Sequence, residues 1–374
     1  MDAQDDKVVE ERQDVESQDT EKVPDAVAGV TTFIPRRIAR TLSKTLSTIT
    51  RFMGFSSEED LRTLEQIIID SAEKEKMMIG GEVIEKWGLL FSDNSDQHFI
   101  RELAQATGFK DVIVHGTLIA AYAEQYVLGL LKEIESMRKK YIEKNPDYRC
   151  PKEELVYTGH SIEFKRPLYP KERAKWGLLD VVEAAEELPL ATPTSNGSEI
   201  KEKKSVGLNL YTLALDSNEK PIVLCPSVPL RFSRPCLGQE EIDSFLARKD
   251  IVARGKRALP EKKEAKLKLF YELLDKPYTP EIPMMYLPAC LPSFLIGLLS
   301  RETGESEGTY LGLDFEFYNQ PHFGVFDFAL ATSSGPTLSR GFYECAFDAL
   351  CLQEGNAIFK GKINCRSQTE IKLD

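Results

Sequence analysis

Cysteine is sparse in this chain: seven in 374 residues, at Cys150, Cys225, Cys236, Cys290, Cys345, Cys351 and Cys365, with no C-x-x-C pair among them. An odd, scattered set argues against a zinc site or a disulfide framework and reads as reduced, partly buried thiols. Net positive charge is lacking too, since 48 Lys and Arg face 60 Asp and Glu for a formal charge of −12. A general nucleic-acid binder needs many phosphate-facing cations, so that class is excluded. Small anions are not, because they need only a local pocket of N–H groups and one or two cations. There is no long hydrophobic run. Ile282 to Leu299 is broken by Pro283, Pro288 and Pro292, falls short of the ~20 residues that span a bilayer, and reads as buried. Residues 2 to 25 are acidic without an apolar stretch and do not read as a secretory leader, and the terminal Lys372-Leu373-Asp374 is not a Ser-Lys-Leu address. The expected location is cytoplasmic.

What is present describes a soluble globular protein, with 42% hydrophobic and 29% charged residues. The length predicts two folded units with appendages. Residues 1–29 are acidic and lack aromatics, which predicts a disordered tail. Residues 30–77 read as a helical extension. From Phe33 to Met53 every charge is positive, while Ile34, Ile38, Leu42, Leu46, Ile49 and Met53 recur at helical spacing. That pattern predicts a basic amphipathic helix starting near Pro35, suited either to peripheral contact with an anionic membrane or to packing on the core. Ser57 and Asp60 predict the start of a second helix running to Lys76.

From Glu82 the chain reads as a folded domain. A short helix to Phe91 leads into a polar loop, Ser92 to Gln97, and then to the segment His115 to Glu133, in which Gly116 to Leu131 is apolar almost all round and therefore a core helix. Period-two runs follow at Ser161–Leu168, Gly177–Ala184, Val206–Leu215 and Ile222–Phe232, with a long loop at Pro189–Lys204. Residues 237–280 read as a charged helical connector, the Arg254 to Lys268 cluster forming one helix face. The pattern then repeats: Tyr286 to Leu299 matches Val114 to Gly129, and strand-like runs recur at Gly308–Tyr318, Phe323–Ala331, Gly341–Leu352 and Ala357–Cys365. One buried helix plus four strands, twice, predicts an α+β fold in which curved antiparallel sheets each wrap a central helix, the hotdog arrangement, doubled within one chain. The units span 78–236 and 281–374. This pseudo-dimer can replace the homodimer that single units form, which leaves a further homodimer open.

Two of the four histidines fall in one stretch, where Asp93 is followed five residues later by His98 and a His115-Gly116 pair opens the core helix. This stretch resembles the motif of the MaoC-like (R)-specific enoyl-CoA hydratases, and Phe164-Lys165-Arg166-Pro167-Leu168 resembles the strand that follows it. Asp93, His98 and Gly116 match in type and spacing, whereas Ser92, Ser95 and Asp96 stand where the family commonly has Gly, Asn and Pro. The resemblance covers Glu82 to Phe232 by motif and Ile282 to Cys365 by fold.

It implies a hydro-lyase acting at the 2,3-bond of an acyl-CoA or acyl-carrier thioester, with no metal or redox cofactor. Asp93 and His98 would hold a water and manage its protons, and the Gly116 N–H would steady the thioester oxygen. Ser95 is expected to donate a hydrogen bond, and Lys165 and Arg166 either to meet the phosphates of coenzyme A or to remain solvated charge. His115 reads as structural, capping the helix or packing under the loop, and His160 and His322 as residues beside a strand and in a turn. The second unit has Pro288 and Ala289 at the positions of His115 and Gly116 and no Asp-x5-His. It should be chemically silent, shaping an acyl tunnel with Phe294, Phe315, Phe317 and Phe326 or completing the sheet. Two other readings stay open: a hotdog that binds acyl chains or partner proteins without turnover, and a thioesterase.

Overall fold

The computed structural model describes residues 36–55, 57–74, 76–146, 153–189, 201–259, 264–295, 309–339 and 341–367. The expected acidic tail at 1–29, residues 33–35 of the basic helix and the 296–299 end of the second apolar run lie outside them. Pro35–Asp374 forms one compact unit.

The sequence pattern becomes helix α1 (Arg36–Met53), α2 (Glu58–Lys74), strand β1 (Lys76–Met78), α3 (Gly81–Phe91), α4 (Arg101–Ala106) and the long α5 (Gly116–Lys144). Strands β2 (Val156–Tyr157), β3 (Gly159–Phe164), β4 (Arg173–Pro189), β5 (Lys201–Asp216) and β6 (Pro221–Arg231) complete the first half. The second half contains α6 (Gln239–Leu246), β7 (Ile251–Leu259), α7 (Glu264–Leu273), 3-10 turns at Met284–Tyr286 and Pro288–Cys290, and strands β8 (Thr309–Phe317), β9 (Gly324–Ser339), β10 (Phe342–Gln353) and β11 (Asn356–Ser367).

All pairings are antiparallel, and the strands form one 11-stranded sheet in the order β1-β4-β5-β6-β3-β8-β11-β10-β9-β7, with β2 beside β6. The order β4-β5-β6-β3 in the first half is repeated as β9-β10-β11-β8 in the second. The halves meet where β3 pairs β8, from Gly159 opposite Glu316 to Glu163 opposite Gly312, so each covers an edge that the other would otherwise expose.

The repeat is larger than helix plus four strands. Each unit also carries an edge strand before its helical segment, β1 on β4 and β7 on β9. The Arg254 to Lys268 stretch is therefore not one helix face. Arg254, Lys256 and Ala258 alternate outward along β7, and only at α7 does the chain turn helical. Cations on an edge strand discourage pairing with another chain, and they obscure the period-two signal. The long loop is also shorter than expected, because β4 and β5 extend their pairing to Pro189 opposite Lys201.

Helix α5 runs past Glu133 to Lys144 because its charged end is paired: Arg138 donates to Glu135 at 2.8 Å and to the Glu153 carbonyl, while the Leu155 N–H reaches Glu135. Its first half buries Leu118, Ala120, Ala121, Ala123, Tyr126 and Val127 completely. Helix α1 places Leu42, Ile49 and Met53 in the same core, and its Lys44 and Arg51 pair with Asp180 and Glu183 of β4 at 2.7 and 3.6 Å. The described part of the apolar stripe, Leu42 to Met53, thus packs on the core. Reciprocal bonds between Ser57 and Asp60 cap α2. Among the described residues no helix is long and apolar enough to cross a membrane.

Candidate active site

The loop after α3 is placed by packing. Trp87 is fully buried against Phe91 and Phe270, and its indole N–H donates to Thr117 Oγ1 at 3.1 Å, which fixes α3 against the start of α5. The chain leaves α3 at Ser92 in the left-handed conformation, φ 58° and ψ 35°, a geometry that favours glycine. The Asp93 N–H then folds back onto the Gly88 carbonyl at 3.0 Å. Gly88 has no room for a side chain: a Cβ there would stand 2.4 Å from the Phe99 ring and 2.8 Å from the Asp93 carbonyl oxygen.

Asp93, Ser95, His98 and His115 are all buried. Asp93 Oδ1 accepts from Ser95 Oγ at 2.9 Å, and Oδ2 lies 2.9 Å from His115 Nδ1. The other nitrogen of His115 lies 3.1 Å from the Ile84 carbonyl oxygen, which can only accept. That nitrogen therefore carries its hydrogen, and the second hydrogen bond of His115 is the one shared with Asp93. His98 Nδ1 donates to the Ile113 carbonyl at 2.7 Å, which leaves Nε2 as the position for a lone pair.

Burial is the largest influence on Asp93 and works upward. The charge and hydrogen bond of His115, with His98 and the Ser95 hydroxyl, outweigh it and hold the carboxyl well below the usual carboxylate range. Burial and then the neighbouring His115 lower His98 to about 3, against the opposing pull of Asp93 and the Ile113 carbonyl. The arrangement is an ionised carboxylate, an imidazole bound to it, and a second imidazole kept unprotonated.

A cavity of about 210 Å³ opens beside this cluster, with His98 and Gly116 in its wall beside Gln97, Ile119 and Phe164. Gly116 is the first residue of α5, so its N–H belongs to the end of the helix that lacks intrahelical acceptors. The sequence expectation is thereby rearranged. His98 and Gly116 face the cavity, whereas the carboxylate of Asp93 is bound to Ser95 and His115. His115 does not cap α5 with its side chain; it is the direct partner of Asp93. Ser95 donates to Asp93 rather than into the cavity.

Lys165 and Arg166 do line the cavity, but neither is uncommitted. Lys165 pairs with Glu163, and Arg166 binds Glu172 at 2.6 Å, Asp216 at 2.8 Å and the Pro167 carbonyl. The four phenylalanines expected to shape a tunnel are elsewhere: Phe315, Phe317 and Phe326 are core residues, and Phe294 packs on Phe328. The second half reaches the cavity instead through Thr309, Tyr310, Leu311 and Arg366. Sequence offers no motif for them. They follow from the β3–β8 register, whose antiparallel continuation past Glu163 and Gly312 carries Tyr310 and Leu311 toward Phe164 and Lys165. His322 lies in the connection between β8 and β9, beside Gln353. His160, by contrast, is buried between the Tyr157 hydroxyl and Cys225 Sγ.

The ligand atoms of Asp93, His98 and His115 lie within 4.8 Å of one another, a set that could hold a metal ion by composition. Both nitrogens of His115 and Nδ1 of His98 are turned onto protein acceptors. A metal would have to displace these bonds, so the donor set fits proton handling better than coordination.

No protein-family model matches the chain, and no curated protein matches it in sequence. Among solved structures, a MaoC-like dehydratase is similar at 12% identity over 77% of this chain and 94% of its own, with a TM-score of 0.43. A Mycobacterium tuberculosis protein described as having a double hotdog fold is similar at 7% identity over 78% and 93%, with a TM-score of 0.46. The 12:0-ACP thioesterase from Umbellularia californica is similar at 10% identity over 68% and 88%, with a TM-score of 0.38. The repeated strand order and the apolar helix α5 buried against the sheet make this chain a double hotdog protein.

Proposed function

We propose that the chain is a hydro-lyase that adds water to, or removes it from, the 2,3-bond of an acyl-CoA or acyl-carrier thioester. The observation that carries this reading is the pairing, on one cavity wall, of an unprotonated His98 with the N-terminal residue of α5, Gly116. In the hydration direction His98 Nε2 takes a proton from water and the hydroxide oxygen bonds to C3. The π electrons move onto C2 and the thioester oxygen, where the Gly116 N–H stabilises the charge. The proton returns to C2, so the step balances as addition of one water. Asp93 acts through His115, whose ring it orients and whose proton it holds beneath His98. Metal and redox chemistry form no part of this scheme.

Purified protein incubated with crotonyl to dodecenoyl thioesters, followed by enoyl absorbance and by free-thiol titration, tests the proposal. Loss of absorbance without thiol release supports hydration. Thiol release would identify a thioesterase, in which the same His98 directs water to the carbonyl carbon. Binding without either change would leave an acyl-binding protein.

A further inference from the structure

Three cations line the cavity, Lys165, Arg166 and Arg366. The first two are neutralised by Glu163 and by Glu172 with Asp216. Arg366 differs. Its guanidinium carbon lies 4.6 Å from the centroid of the Phe342 ring, and among the described residues no carboxylate forms an ion pair with it. Glu344 stands directly opposite Arg366 in the β10–β11 register, yet it is exposed and the pair is not closed. An arginine held over an aromatic ring keeps its planar fork of N–H donors available for a carboxylate or a phosphate. The recess containing Arg366 and Phe342 adjoins the cavity and shares Gln97, Phe109 and Thr309 with it.

We infer that Arg366 is the anion-binding residue of this site, contributed by the repeat that carries no catalytic motif, and that the ligand bears a carboxylate or phosphate which docks on it while the reacting end faces His98 and Gly116. Two sources of that anion fit the same chemistry, the phosphates of the thiol carrier and a carboxylate at the far end of the acyl chain. The inference takes the thioester class from the proposed function, but its test does not depend on turnover.

The full-length protein is titrated calorimetrically with three unreactive thioethers: S-butyl coenzyme A, S-butyl-N-acetylcysteamine and S-(3-carboxypropyl)-N-acetylcysteamine. Arg366→Gln should weaken at least one of the two anionic ligands by tenfold or more and leave the neutral one unchanged, while Arg366→Lys restores part of the loss. Loss confined to the coenzyme A ligand identifies the carrier phosphate, and loss confined to the carboxypropyl ligand identifies an acyl carboxylate. Glu344→Gln should bind as tightly as the parent. The inference is overturned by equal loss for the neutral ligand, by no loss for either anion, by failure of the parent to bind any anionic ligand, or by a Glu344→Gln defect matching that of Arg366→Gln. Binding that depends on Arg366 without hydration of crotonyl thioesters would sink the hydro-lyase reading alone. Hydration of crotonyl thioesters by a parent whose binding of both anionic ligands is unaffected by Arg366→Gln would do the reverse.

Discussion

The rings of His98 and His115 lie 3.8 Å apart between centroids, inclined by 31°, so the imidazole that faces the cavity rests on the one that holds Asp93. This stacking makes the three residues a single unit. His98→Ala is expected to lower kcat by roughly 10²–10⁴-fold, the range of one general base. Asp93→Asn and His115→Asn are expected to lose most of kcat as well. The Asp93→Asn, His98→Ala double variant should be little worse than either single, because groups that share a step are not additive. Steady-state hydration kinetics on folded variants check this; wild-type turnover in the double variant would remove the assignment.

Stability separates the same residues. Asp93→Asn removes the charge from a buried carboxylate that bonds both Ser95 and His115 and is expected to cost about 1.5–3 kcal/mol for each of these bonds that it weakens, the range for hydrogen bonds to charged groups. Ser95→Ala removes one hydrogen bond to Asp93 and should cost about 1–2 kcal/mol. Denaturant melts at constant pH rank the two, and equal costs would contradict this order.

The depressed value of His98, about 3, sets the pH dependence of rate. Since burial already keeps its Nε2 unprotonated, acidification from pH 8 to 5.5 should not protonate the base, and kcat/KM should show no limb near the ordinary 6.5. A limb at that position, in protein shown by circular dichroism to remain folded, would mean that some other group is the base.

Glu124 governs stability in a different pH window. Burial pushes its carboxyl up to about 7, although the Met285 and Met284 amides pull it down. Its oxygens accept those N–H groups at 3.2 and 2.8 Å, which ties α5 to the first 3-10 turn of the second half. The folded chain keeps this proton above 4.5 while the unfolded chain releases it. The contribution is therefore full below the ordinary carboxyl value, declines as pH rises toward about 7 and is flat beyond, a span on the order of 3 kcal/mol. Comparing the melting temperatures of the parent and Glu124→Gln at pH 5, 6, 7 and 8 cancels other titrations. The parent should lose stability relative to the variant between pH 5 and 7, and parallel curves would exclude the effect.

The sequence alone carried the helix and strand periods, because a fully buried helix and half-buried strands leave regular marks. Gly116 to Leu131 and the clean alternation through Leu311, Leu313, Phe315 and Phe317 are of this kind, and so is the repeat that relates the halves. The loop with Asp93 and His98 was legible by its resemblance to a known motif. Strand β7 was not, since an edge strand bearing Arg254, Lys256 and Arg257 resembles a charged helix face when its partner β9 is unseen.

Which residues meet in the site was settled only by tertiary structure. The backbone turn at Ser92 and the close approach at Gly88 direct Asp93 onto His115, a pairing 22 residues apart that no local spacing implies. The same holds for Arg366. Sequence marks it as one cation among 48 Lys and Arg. Its place on the cavity follows from the β8–β11 register, which sets it opposite Thr309, and from the junction of β3 with β8, which carries that register to the wall of the first repeat. A strand pairing is fixed by the burial of whole faces, so the position of any one side chain in it is a property of the closed sheet.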